Sequence, residues 1–159
     1  MKAASISELK KELELLPAQT VLELAIRITK YKKENKELLT YLLFEANDEA
    51  DYIKNIKEEI SIQFNEINKS NLHYVKKSLR KILRYASKYI KYSGNKQTEI
   101  EVLIFYCSSM RNSGIKIRSS QTVQNIYERQ LVKIQKAITY LHEDIQYDYN
   151  KQLPGLKNY

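Results

Sequence analysis

The sequence predicts an all-α protein, a single multi-helical bundle of about seven helices, with a short α-solenoid of helical hairpins as the alternative arrangement. Three observations lead there. The 159 residues include only three glycines and two prolines, too few breakers for the closely spaced turns of an all-β fold. Apolar residues recur at intervals of three and four along almost the whole chain. Helix-capping residues stand between the apolar runs.

The elements follow in order. Ser5-Ile-Ser-Glu8 has the spacing of a capping box, and Ile6, Leu9, Leu13 and Leu16 follow it on one helical stripe. Pro17 suits the first turn of a second helix, with Val21, Leu22, Ala25 and Ile28 facing inward. After the polar Lys-Lys-Glu-Asn comes a third, short helix with Leu38, Leu39, Leu42 and Leu43. Asn47 or Asp48 suits the cap of a fourth, whose stripe is Ile53, Ile56, Ile60, Phe64 and Ile67. Ser70 suits the cap of a fifth, which Gly94 ends as a left-handed C-terminal residue. Thr98-Glu-Ile-Glu101 is a second capping box before Ile100, Leu103, Ile104, Cys107 and Met110, and Gly114 closes that helix. Its apolar run Val102–Cys107 would also suit a strand, but the cap before it and the spacing after it favour helix.

Residues 115–119 read as a connector, and Ser119 or Ser120 opens the last long helix. There Tyr127, Leu131, Ile134, Ile138, Leu141 and Ile145 follow a 4-3-4-3-4 rhythm, the seam of a packed helix or of a dimer. No linker interrupts the chain, so residues 1–150 read as one domain and residues 151–159 as a frayed tail.

Composition narrows the function. Apolar content of 43% and charged content of 29% fit a folded chain rather than a disordered one. No apolar run approaches a membrane span, and the N-terminus lacks the continuous apolar stretch of a signal peptide. Cys107 is the only cysteine, which leaves no internal disulfide, and a cytoplasmic location is the expectation. The two histidines, His73 and His142, have no ligand-spaced partners, so no metal is expected. The glycines stand alone, so no phosphate-cradling loop is expected either. No nucleophile with an activating base stands out, and the chain is expected to be non-catalytic and without a cofactor.

The charge is distributed unevenly. Residues 1–66 carry a net charge of −3, residues 67–98 carry +9 with no acid at all, and residues 99–159 carry +2. Lysine, isoleucine, asparagine and tyrosine make up 63 of the 159 residues, as AT-rich codons alone would favour, so placement matters more than abundance. On a wheel of 100° per residue, Leu72, Val75, Leu79, Ile82, Leu83, Ala86 and Ile90 form the inward face of the fifth helix. Lys76, Lys77, Arg80, Lys81, Arg84, Lys88 and Lys91 fill the opposite sector. Tyr74, Tyr85 and Tyr92 line its edge, with Tyr89 between them and the core. Cations beside aromatic planes are what a phosphate backbone with unpaired bases would engage. An ordinary solvated helix face is the plainer reading, and an anionic lipid surface a third, though it would take the helix's apolar face away from the core.

The opening stretch, ISELKKELELLPAQTVLELAIRITKYKKENKELLTYLLF, resembles the start of a family of small all-helical bacterial proteins of unknown function. The likeness rests on the Leu-Lys-Lys-Glu-Leu start, the break at Pro17, the Leu-rich helix and the Lys-Glu-Asn-Lys-Glu break. It implies an all-α bacterial protein of the cytoplasm and assigns no functional residue.

The leading expectation is therefore a non-catalytic interaction protein that binds another macromolecule or a second copy of itself. Non-specific binding of DNA or RNA through residues 70–93 is the alternative, and an enzyme of unrecognised type the second.

Overall fold

The first capping box forms. Ser5 Oγ accepts from the Glu8 amide at 3.3 Å, and the Ser5 amide donates to the Glu8 carboxylate at 2.7 Å, which opens helix α1, Ile6–Glu14. The Ser5 amide foremost, and then the Ser5 hydroxyl, which donates to the same carboxylate at 2.7 Å, hold the Glu8 carboxyl below its ordinary range. In the computed structural model, residues 2–157 are described, all-helical apart from turns and connections, with no strand among them. They belong to two compact units, residues 1–44 and 45–159.

In the first unit, α1 is followed by α2, Ala18–Tyr31, and α3, Lys33–Thr40, which pack against each other. Asn35 Nδ2 ties their corner to the Ile28 carbonyl at 2.8 Å. A single π turn, Tyr41–Glu45, follows. None of these three α-helices holds a buried residue. Val21 and Ala25 are half-buried, but Leu22 and Ile28, expected inward, stay 54% and 60% exposed. The reason is that α2 is apolar on several sides, and packing against α3 covers only one.

The second unit is a helical bundle. It consists of α4, Glu49–Asn65; α5, Leu72–Ser93; α6, Lys96–Asn112; a 3₁₀ turn, Ile117–Ser119; α7, Gln121–Ile138; and α8, Glu143–Lys157. Asp48 caps α4 by accepting from the Asp51 amide at 3.0 Å. The stripe Ile53, Ile56, Ile60, Phe64 and Ile67 is wholly buried. Helix α6 packs against α4, α5, α7 and α8, so it is the central rod. Ile100, Val102, Leu103, Tyr106, Cys107 and Met110 are at most 2% exposed, and Ile104 and Phe105 on the other side of the helix are half-buried, which explains why its sequence resembles a buried strand.

Buried tyrosines bind the rods together. Tyr106, whose ring meets Phe64 at 5.4 Å, donates its hydroxyl to the Leu79 carbonyl of α5 at 3.1 Å. Tyr127 of α7 donates to the Leu156 carbonyl of α8 at 2.7 Å. Both hydroxyls are thereby satisfied in an apolar interior.

Several expectations need correction. Asn71, not Ser70, caps α5, and its side chain accepts from the His73 amide at 2.8 Å. Asn95 caps α6 a turn before the expected capping box, because an asparagine carbonyl reaches the second amide of the helix equally well. Thr98 is therefore inside α6, fully buried, and donates to Glu49 at 2.5 Å. Leu72 stays 38% exposed at the first turn of α5. The expected last helix is two helices, broken between Ile138 and Glu143, where Tyr140 and Leu141 make tight i−3 backbone bonds to Ala137 and Ile138.

The tail expected to fray is helical as far as Lys157, with Pro154 inside the helix. Leu153 and Leu156 are buried, and Arg111 and Tyr127 supply donors to the carbonyls of Gly155 and Leu156. That packing offsets the amide that Pro154 lacks. Asn158 and Tyr159 lie outside the described residues.

Candidate polyanion-binding face

Helix α5 is the 22-residue element that carries the charge. Asn71 starts it, and Gly94 stops it with a left-handed φ of 66° and an amide bonded to Ile90 at 3.0 Å. Val75, Leu79, Ile82 and Ala86 are buried against the bundle, and Leu83 and Ile90 are half-buried. This inward stripe fixes the rotation of the helix and turns the basic sector outward.

Lys77, Arg80, Lys81, Arg84 and Lys91 are exposed, and Lys76 and Lys88 are half-buried. Six of these seven cations, all but Lys81, border one shallow groove of about 720 Å³ along the helix. His73 and Ser87 complete its polar lining. Among the described residues, Lys76, Lys77, Arg80, Lys81, Arg84 and Lys91 make no ion pair. Elsewhere lysines do pair: Lys54 with Glu58 at 4.0 Å, Lys57 with Glu101 at 2.8 Å and Lys96 with Glu99 at 2.6 Å.

The tyrosine edge is arranged differently from an open stacking platform. Tyr85 and Tyr89 have ring centroids 4.7 Å apart, and Tyr89 and Tyr92 are 5.6 Å apart, edge to face. Tyr52 of α4 joins them and donates its hydroxyl to the Tyr89 carbonyl at 3.0 Å. Lys88 Nζ lies 4.6 Å from the Tyr89 ring centre. Burial pushes the Tyr85 hydroxyl well above its ordinary range, with Tyr89, Glu59 and Glu45 adding to the shift. Tyr85 and Tyr92 thus pack within an aromatic cluster on the α4 side, while Tyr74, 50% exposed, stands at the other end of the helix beside His73.

The α7 seam is spent inside the bundle. Tyr127, Leu131, Ile134 and Ile138 are at most 9% exposed, Leu141 is half-buried in the break, and Ile145 is 37% exposed on α8. These residues form a packing face, and the first four have no surface left for a dimer.

A polar cleft that the sequence did not announce lies along α4 and α6. Lys57 Nζ meets Glu101 Oε2 at 2.8 Å, and the Tyr149 hydroxyl donates to Glu101 Oε1 at 3.2 Å. Burial, then the Glu101 carboxylate, raises the Tyr149 hydroxyl above its ordinary range. Glu49 accepts from both Ser93 and Thr98. The partners lie 44 to 49 positions apart in the chain, so no local spacing could reveal them. Each carboxylate is already matched by donors, an arrangement that stitches helices together.

Burial also pushes the Cys107 thiol up to about 12, away from nucleophile chemistry. His142 is exposed, 3.3 Å from Asp144. Among the described residues no three His, Cys, Asp or Glu side chains stand close enough to hold a metal ion. No helix among them is long and apolar enough to cross a membrane. Compared with protein-family models, curated proteins and solved structures, the chain matches none.

Proposed function

We propose that the protein binds nucleic acid through α5, with the basic sector engaging the phosphate backbone and without sequence readout. The observation that carries this reading is a continuous row of outward cations with no carboxylate paired to six of them. Uncompensated cations at helical spacing gain from releasing the counterions of a polyphosphate, whereas cations already paired to carboxylates gain little. The self-packed state of Tyr85, Tyr89 and Tyr92 argues against base stacking along that edge and for backbone contact. Among the described residues no recognition element of a major-groove reader argues for sequence preference.

The test is binding of labelled duplex and single-stranded DNA and RNA at low and rising salt. The variant K77E/R80E/R84E, with helicity checked by circular dichroism, runs beside the wild type. Binding that falls with salt and disappears in the variant supports the reading. No binding at low salt, where electrostatic attraction is strongest, ends it.

A further inference from the structure

Helix α2 keeps more uncovered apolar surface than its own unit can use. None of its 14 residues is buried, and Leu22 and Ile26 remain 54% and 43% exposed. Gln19, Leu22, Glu23, Ile26, Arg27 and Lys30 line one shallow groove along it. On a wheel of 100° per residue, Leu22 and Ile26 form one edge of that groove and Glu23 and Arg27 the other, with Gln19 and Lys30 between.

This row is complementary to its own reverse. Lay a second copy of α2 antiparallel, with a two-fold axis near residues 24 and 25. Like edges of the two helices then face each other, as in any antiparallel pair. Leu22 meets Ile26 of the second copy, and Ile26 meets its Leu22. Glu23 faces Arg27 of the second copy, and Arg27 faces its Glu23. Lys30 comes opposite Gln19. One superposition satisfies both the apolar edge and the charged edge.

Within one chain, Glu23 and Arg27 stand four apart, yet among the described residues they make no ion pair. Glu23 instead accepts from Gln19 Nε2 at 3.2 Å. Lys10 and Glu14, with the reverse order of charges, do pair within the chain at 3.7 Å. A lipid surface is the poorer occupant, because an interfacial helix borders its apolar face with cations, and here Glu23 stands in that border.

The geometry points to an isologous homodimer in which α2 docks antiparallel on α2 of a second copy. The helix is short, about 21 Å at 1.5 Å per residue, so association falls in the micromolar range. The inference is independent of the reading of α5.

The test is sedimentation velocity of the full chain across the micromolar range, with circular dichroism confirming that each variant remains helical. The wild type shows a concentration-dependent monomer–dimer equilibrium. E23R and R27E each weaken it roughly tenfold, because each variant turns both symmetry-related pairs from attraction to repulsion. The double variant E23R/R27E rebuilds both pairs with signs exchanged and returns the constant to near that of the wild type. A chain that stays monomeric throughout overturns the inference. So does a dimer indifferent to both single reversals, or a double variant weaker than either single one. Binding to phosphatidylserine vesicles by a chain that never dimerises assigns the groove to lipid instead.

Discussion

Neutralising three cations of α5 gives a change that can be counted. From Lys76 to Lys91 the helix advances about 22 Å at 1.5 Å per residue. One strand of duplex presents a phosphate about every 3.4 Å, so this length passes about six. Among the described residues six cations without an ion pair, Lys76, Lys77, Arg80, Lys81, Arg84 and Lys91, stand along that span, which allows a one-to-one match. Full engagement gives a slope of log K against log salt of about −5.4, or −0.9 for each phosphate. Between 50 and 200 mM salt, affinity then drops by about three orders of magnitude. The variant K77Q/R80Q/R84Q keeps the side-chain stems but removes three charges, and its slope falls to about −2.7. Fluorescence anisotropy with a labelled duplex, at five salt concentrations, measures both slopes. Equal slopes for the two proteins would refute the argument even if both bind, because the phosphates would then be held elsewhere. A wild-type slope near zero would refute it more directly, since no counterions would be released.

Three further outcomes test the bundle itself. Burial raises the Cys107 thiol to about 12, above its ordinary value, so the neutral form is the one the fold favours. Its contribution to stability is whole below about pH 8.5 and is lost as pH climbs toward the folded value. At pH 9 iodoacetamide labels the native chain far more slowly than the urea-unfolded chain, and equal rates contradict the burial. Gly94→Ala meets no atom within 4 Å of its new Cβ, so its cost is the left-handed backbone alone, about 1–2 kcal/mol, read as a fall of several degrees in melting temperature. Tyr127→Phe leaves the Leu156 carbonyl without its buried donor and costs about 1–2 kcal/mol by urea denaturation, with hydrogen exchange in α8 accelerating more than in α4.

The sequence revealed what is periodic or compositional. The stripe from Ile53 to Ile67 is buried throughout, and the acid-free run over residues 67–98 is an outward basic face, because both follow from spacing along one helix. Cap positions were harder to read. Ser70 and Asn71 are both competent caps by residue type, and the structure uses Asn71. The break after Ile138 hides inside an unbroken apolar rhythm, since Leu141 and Ile145 would also continue a straight helix. A helical wheel puts Tyr85, Tyr89 and Tyr92 near one edge, but their stacking on one another and on Tyr52 depends on the neighbouring helix. The uncovered apolar surface of α2 was invisible for the same reason. Helical spacing says which residues share a side, and only the neighbours decide whether that side is covered.

The hydroxyl of Tyr127 also sets an order of events during synthesis. It waits for a carbonyl 29 residues further along the chain. A ribosome adding about 5–20 residues per second takes roughly 1.5 to 6 seconds to supply it. When that interval begins, α4 to α6 are already made and α7 is still being completed, while Tyr149, Leu153 and Leu156, which are buried in the finished bundle, have yet to be added. Until α8 is in place, the Tyr127 hydroxyl lacks the carbonyl acceptor it has in the folded bundle. Helix α8 follows α4 to α7 in the chain, so a pause in translation between residues 138 and 156 would prolong the exposure of the apolar surface that Tyr149, Leu153 and Leu156 cover.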